Sequence, residues 1–95
     1  MASKSILQSE RECWVCGVEY GLHKHHIYGG VANRKLSEKY GLWVYLCGRH
    51  HNLSNEGVHF NRDLDLRLKQ YAQEVFEAKI GTREDFRRIF GKSYL

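Results

Sequence analysis

The feature that most constrains this chain is a set of two short ligand pairs, "CWVC" and "CGRH". Two residues separate Cys13 from Cys16 and Cys47 from His50, and 30 residues lie between the pairs. Tetrahedral zinc sites in proteins are built from two such pairs. Because four ligands leave no open coordination position, the predicted zinc is structural. The alternative, that the cysteines are ordinary buried thiols, requires this ligand pattern to arise by coincidence.

The composition fits a small metal-stabilised domain. The chain has 95 residues, 42% hydrophobic and 27% charged, which is typical of soluble globular proteins. A core of this size is only modestly stable alone, so a structural metal would contribute. An odd count of three cysteines argues against a disulfide framework. The sequence shows no apolar stretch of membrane-spanning length and no signal-peptide core, which predicts a cytoplasmic protein.

Hydrophobic and glycine patterns predict an α+β fold in a single domain over residues 10–95, after a flexible lead-in at residues 1–9. Residues 20–27 and 41–47 are predicted strands, joined by a long loop, and a helix is predicted to open after Gly48.

Residues 62–95 are predicted to form helices that cover the core. Apolar residues recur at helical spacing from Leu64 to Ile80, with Asn61 as a candidate N-cap and Gly81 as a candidate stop. A second helix is predicted to start at Thr82. A partner-binding surface on these helices is the alternative interpretation.

The histidines form the second pattern. All six lie between positions 23 and 59, and two pairs are adjacent. Neighbouring helical residues point about 100° apart, so His50 and His51 can serve different sites. On a strand, His25 and His26 project to opposite sides. Each pair is therefore predicted to divide between two tasks. His23 is interpreted as a surface or packing residue.

These motifs resemble a known family. "HHI" on a first strand and "LCGRHHN" after a second are similar to the HNH endonucleases, also called the ββα-metal or His-Me finger group. The resemblance extends to members with a zinc knuckle, including phage recombination-enhancement nucleases. It covers residues 13–61, about half of the chain, and implies a small ββα-metal finger with an adjoining zinc knuckle. It also implies metal-dependent hydrolysis of DNA phosphodiester bonds.

The resemblance assigns roles residue by residue. His26 matches the general base that activates water, and His25 and His51 match ligands of a catalytic divalent cation. A further ligand is expected one helical turn later, where Asn55 lies, with His59 as a competing candidate. The expected cation is Mg²⁺, Mn²⁺, Co²⁺, Ni²⁺ or Zn²⁺, and imidazole-rich ligation favours the transition ions over Mg²⁺.

One position departs from the family pattern. Leu42 lies where the family carries its middle asparagine. Asn33 or a backbone carbonyl is the expected substitute for orienting the base. A nuclease fold that has lost activity is therefore one alternative.

The predicted partner is DNA. The net charge of +4 is mildly basic, which is compatible with a polyanion. Candidate phosphate contacts flank the histidines, although a solvated face is the simpler interpretation of any single one. These candidates are Lys24, Arg34, Lys35 and Arg49. A phage packaging or recombination protein is a further expected partner. The rival function is a non-catalytic zinc-knuckle module that binds DNA or protein; such a module has no use for His25, His26 and His51 together.

Overall fold

A computed structural model of the protein describes residues 4–53 and 57–95. These residues form a two-stranded antiparallel sheet and four helices, as expected for an α+β chain. In chain order the elements are β1 (Leu22–His26), α1 (Val31–Tyr40), β2 (Trp43–Cys47), α2 (Gly48–His51), α3 (Arg62–Lys79) and α4 (Arg83–Phe90). Among the described residues, no helix has the length and apolar content to span a membrane.

The two predicted strands are confirmed and pair with each other. Leu22 lies opposite Cys47, and His26 lies opposite Trp43. This register places the Cys47 end of β2 beside the start of β1. All of β2 except Tyr45 is buried, as expected for a short aromatic and β-branched strand covered on both faces.

The predicted long loop between the strands is wrong, because Val31–Tyr40 form helix α1. Gly41 ends this helix in the left-handed conformation, with a φ of 72°, which glycine adopts without steric cost. Inside the helix, Ser37 is fully buried. Its hydroxyl accepts a hydrogen bond from the Tyr28 N–H at 3.1 Å and donates one to the Tyr28 carbonyl at 3.2 Å. These bonds fasten α1 to the chain just beyond β1.

The two C-terminal helices are confirmed, with the predicted caps. The Asn61 side chain accepts from the Leu64 N–H at the start of α3. Thr82 and Asp85 form a reciprocal capping box at the start of α4. Together such caps satisfy backbone donors that a helix leaves free.

The core lies where α3 and α4 cover the sheet and α1. Tyr28, at its centre, packs edge-on against Phe86 at 5.2 Å between ring centroids and contacts Phe90 at 4.6 Å. Its hydroxyl donates to the Lys69 carbonyl at 2.7 Å. Leu68, Ala72 and Phe76 supply the buried apolar face of α3. These helices therefore bury their apolar faces against the domain.

Part of the segment predicted as a lead-in contributes to the core. Leu7 is buried in the main hydrophobic cluster. The Ile6 N–H donates to the Gly41 carbonyl at 2.9 Å, and the Tyr71 hydroxyl donates to the Leu7 carbonyl at 3.2 Å. Residues 4–7 thus run between the end of α1 and α3.

Candidate metal centres

The first centre is the cluster of Cys13, Cys16, Cys47 and His50, whose donor atoms all lie within 4.8 Å of one another. The Cys16 and Cys47 sulfurs are 3.7 Å apart, and His50 Nδ1 lies 3.3 Å from the Cys47 sulfur and 3.8 Å from the Cys13 sulfur. Around a tetrahedral zinc with Zn–S bonds of ~2.3 Å, sulfurs sit ~3.8 Å apart. The four side chains could therefore hold a metal such as zinc.

The local backbone explains how the cysteines converge. A tight turn closes as the Gly17 N–H donates to the Cys13 carbonyl at 2.8 Å, and the Trp14 N–H joins this turn to the Tyr45 carbonyl at 2.8 Å. Burial raises the pKa of the Cys13 thiol, but backbone N–H groups of Cys47, Cys16 and Val15 outweigh it and bring the pKa to about 6. Cys13 is therefore poised as the thiolate, which is the form that binds a metal.

The second centre is formed by His25 of β1, His51 of α2 and His59, whose donor nitrogens lie within 4.8 Å of one another. His59 reaches His51 because the chain returns along α2. The Val58 N–H donates to the His50 carbonyl at 2.9 Å, and the His59 N–H to the His51 carbonyl at 3.3 Å. Asn55, the other candidate for the further ligand, lies outside the described residues.

The donor geometry of this second cluster fits a cation. The Nε2 atoms of His51 and His59 are 3.1 Å apart, close to the ~3.4 Å expected for nitrogens around a tetrahedral metal. His25 Nε2 is buried and has no hydrogen-bond partner among the described residues. A buried ring nitrogen without a partner is costly unless a ligand satisfies it. A divalent ion bound by the three imidazoles would do so.

Burial and neighbouring imidazoles keep His25 and His51 neutral. Burial, together with the nearby His51, His59 and His26, lowers the pKa of His25 to about 3. Burial, with His59 and His23, lowers the pKa of His51 to about 4. Neutral imidazoles are the form that ligates metals.

Strand alternation divides β1 into two faces. On one face, His23 and His25 contact His51. The Nδ1 atoms of His23 and His51 are 3.0 Å apart, and the ring centroids of His25 and His51 are 5.4 Å apart. On the other face, Lys24 Nζ and His26 Nε2 lie 3.0 Å and 2.9 Å from the Glu38 carboxylate. The adjacent histidines therefore make different contacts, as the sequence predicted. Sequence reasoning missed Glu38, because its helix was not predicted.

The two faces border one open cleft of about 450 Å³. Its walls include His25, His26, His51 and His59 together with Arg34, Lys69 and the glycines before α1. Lys69, which the sequence did not single out, pairs with Asp65 at 2.8 Å. The cleft thus combines a candidate cation site, a separate imidazole and cationic side chains.

The predicted phosphate contacts differ in position. Arg34 lines the cleft. Lys24 lines it too, but its ammonium pairs with Glu38 and lies 4.1 Å from the centroid of the Trp43 ring. Lys35 and Arg49 are exposed, on α1 and α2. Binding of DNA by these residues stays a prediction.

Asn33, the candidate substitute for the family's middle asparagine, points elsewhere. Its side-chain amide approaches the Phe90 carbonyl at 3.5 Å, on the side of α1 that faces α4. The carboxylate of Glu38, and not Asn33, contacts His26. No protein-family model, curated protein or solved structure matches this chain.

Proposed function

We propose that this protein is a metal-dependent DNA endonuclease of the ββα-metal type. The observation that carries the proposal is the shared cleft, in which a cluster of three histidines around the buried His25 and the separate imidazole of His26 lie side by side. In this proposal β1, β2 and the single turn of α2 correspond to the ββα unit. The Cys13, Cys16, Cys47 and His50 cluster holds a structural zinc beside it.

Each imidazole then has one task. His25, His51 and His59 would hold a divalent cation, which when bound would supply positive charge to a phosphate oxygen and to the leaving oxygen. His26 takes a proton from water. The water oxygen forms a bond to phosphorus as the bond from phosphorus to the leaving sugar oxygen breaks, and the leaving oxygen takes a proton from solvent. Arg34 and Lys69 line the cleft where the phosphodiester would lie.

A plasmid-cleavage assay tests this function. The zinc-loaded protein is incubated with supercoiled plasmid and Mg²⁺, Mn²⁺ or Ni²⁺, with and without chelator. We expect nicked or linear product only with added cation. Replacing His26→Ala should lower the rate by about 10²- to 10⁴-fold, the usual contribution of a general base, with unchanged zinc content and circular dichroism.

The exposed Glu84→Ala variant on α4 is the matched control and should cut normally. Wild-type rates in the His26→Ala variant would refute the assignment of the base. Binding of DNA without cleavage under every cation would favour the non-catalytic zinc-knuckle module.

A further inference from the structure

Glu38 makes a contact with His26 that the proposed reaction does not account for. Its Oε1 atom lies 2.9 Å from His26 Nε2, within hydrogen-bonding distance. Both carboxylate oxygens also lie near the Lys24 ammonium, at 3.0 Å and 3.3 Å. Glu38 is thus held between two residues of one face of β1, with its side chain 30% exposed.

The protonation of this pair follows from its chemistry. The hydrogen bond from His26 lowers the pKa of Glu38, and Lys24 lowers it further, so the carboxylate is ionised at neutral pH. An ionised carboxylate only accepts hydrogen bonds. The proton between the two groups therefore belongs to His26 Nε2. In a neutral imidazole the lone pair is then on Nδ1.

We infer that Glu38 is a positioning residue, which fixes the orientation and tautomer of His26 so that Nδ1 is the atom that accepts a proton from water. This inference rests on the proposed function for its catalytic meaning. The tautomer itself is a property of the folded protein with or without DNA cleavage.

The location of Glu38 supports this role. It lies on α1, which Ser37 fastens to the backbone of Tyr28 just beyond β1. Because its helix is already anchored, a carboxylate there can orient an imidazole with little further loss of conformational entropy, as the partners of functional histidines commonly do. Lys24 restrains the carboxylate from the other side and itself rests on the Trp43 ring. Glu38 thus supplies the orienting contact that neither Leu42 nor Asn33 makes.

The tautomer can be measured directly. Long-range ¹H–¹⁵N correlation spectra of the zinc-loaded, ¹⁵N-labelled protein separate protonated from unprotonated ring nitrogens. The His26 signals are identified by their loss in the His26→Ala variant. We expect a protonated Nε2 and an unprotonated Nδ1 at neutral to mildly alkaline pH. A protonated Nδ1 would overturn the inference.

Three variants separate positioning from simple structural support. Glu38→Gln keeps an oxygen acceptor and should retain the Nε2–H tautomer, whereas Glu38→Ala should give mixed tautomers. Glu84→Ala removes an exposed carboxylate on α4 and should change nothing. A folded Glu38→Ala protein with an unchanged His26 tautomer would contradict the inference. Circular dichroism and zinc content verify that each variant is folded.

Cleavage kinetics then test the catalytic meaning. Glu38→Ala should lower kcat by about 10- to 100-fold, a typical cost of losing the partner of a functional histidine, with little change in KM. Glu38→Gln should retain more of the rate. Wild-type kcat in Glu38→Ala would overturn the positioning role. If the wild-type protein cleaves no DNA, the proposed function fails, while the spectra still decide whether Glu38 sets the tautomer.

Discussion

At the scale of single residues, the distinguishing feature is a buried histidine that stays neutral. His25 is 6% exposed, and its pKa falls from 6.5 to about 3 on folding. Between these values the unfolded chain binds a proton that the folded protein does not. Protonation therefore favours unfolding, and this loss of stability grows as the pH falls below about 6.5.

This titration predicts a difference in acid stability. We compare the wild type, with zinc bound but no other cation, with His25→Leu. The free energy of unfolding of the wild type should fall relative to that of the variant by about 1.4 kcal/mol per pH unit below pH ~6.5. Urea unfolding of both proteins between pH 7 and 5 measures the difference. A constant difference across this range would show that His25 does not titrate as stated.

Residue patterns predicted the candidate metal ligands more completely than the residues that contact the histidines. The Cys-x2-Cys and Cys-x2-His spacings and the adjacent histidines are encoded locally, so the convergence of Cys13 and Cys16 could be anticipated. The contact between His26 and Glu38 crosses from a strand to a helix twelve positions away. No local periodicity marks such a pair, and only the packing of α1 reveals it.

At the scale of elements, α1 shows where sequence patterns were insufficient. Its N-cap Gly30 makes no side-chain capping bond, its first turn has no acidic residue, and its one fully buried side chain is Ser37. Because serine is more typical of caps and turns than of a buried helix face, the usual sequence signals of a helix were weak here. By contrast, α3 and α4 have strong caps and apolar faces, and both were predicted.

Gly41, at the end of α1, lies close to the backbone of residues 4–6, and a substitution there tests this contact. It has a φ of +72°, and a Cβ there would lie 2.4 Å from the Lys4 carbonyl oxygen. Gly91 has a φ of +94° but open space around it. Gly91→Ala should therefore lower the free energy of unfolding by about 1–2 kcal/mol through backbone strain alone.

Gly41→Ala should cost more, because the backbone of residues 4–6 must also move. Urea unfolding of the two variants measures the contrast. Equal losses in both proteins would indicate that the approach of residues 4–6 contributes nothing to stability.

At the scale of the whole molecule, a metal bound by the Cys13, Cys16, Cys47 and His50 cluster is expected to determine whether the domain folds. Structural zinc contributes on the order of 10 kcal/mol in small modules, which is comparable to the entire stability of a typical domain. Removing zinc with a strong chelator should abolish the cooperative thermal transition seen by circular dichroism, and adding zinc back should restore it. His26→Ala, which leaves the four ligands intact, should behave as wild type. A chelated protein that melts at the same temperature would contradict this expectation.

The antiparallel register also bears on how such a chain can vary in length. Cys47 is fixed by its cluster and lies opposite Leu22, so β1 cannot slide without losing that partner. Since alternate residues face opposite sides, inserting or deleting one residue within β1 would exchange the surroundings of His25 and His26. Insertions and deletions are therefore expected in the connecting turns, while β1 keeps a constant number of residues.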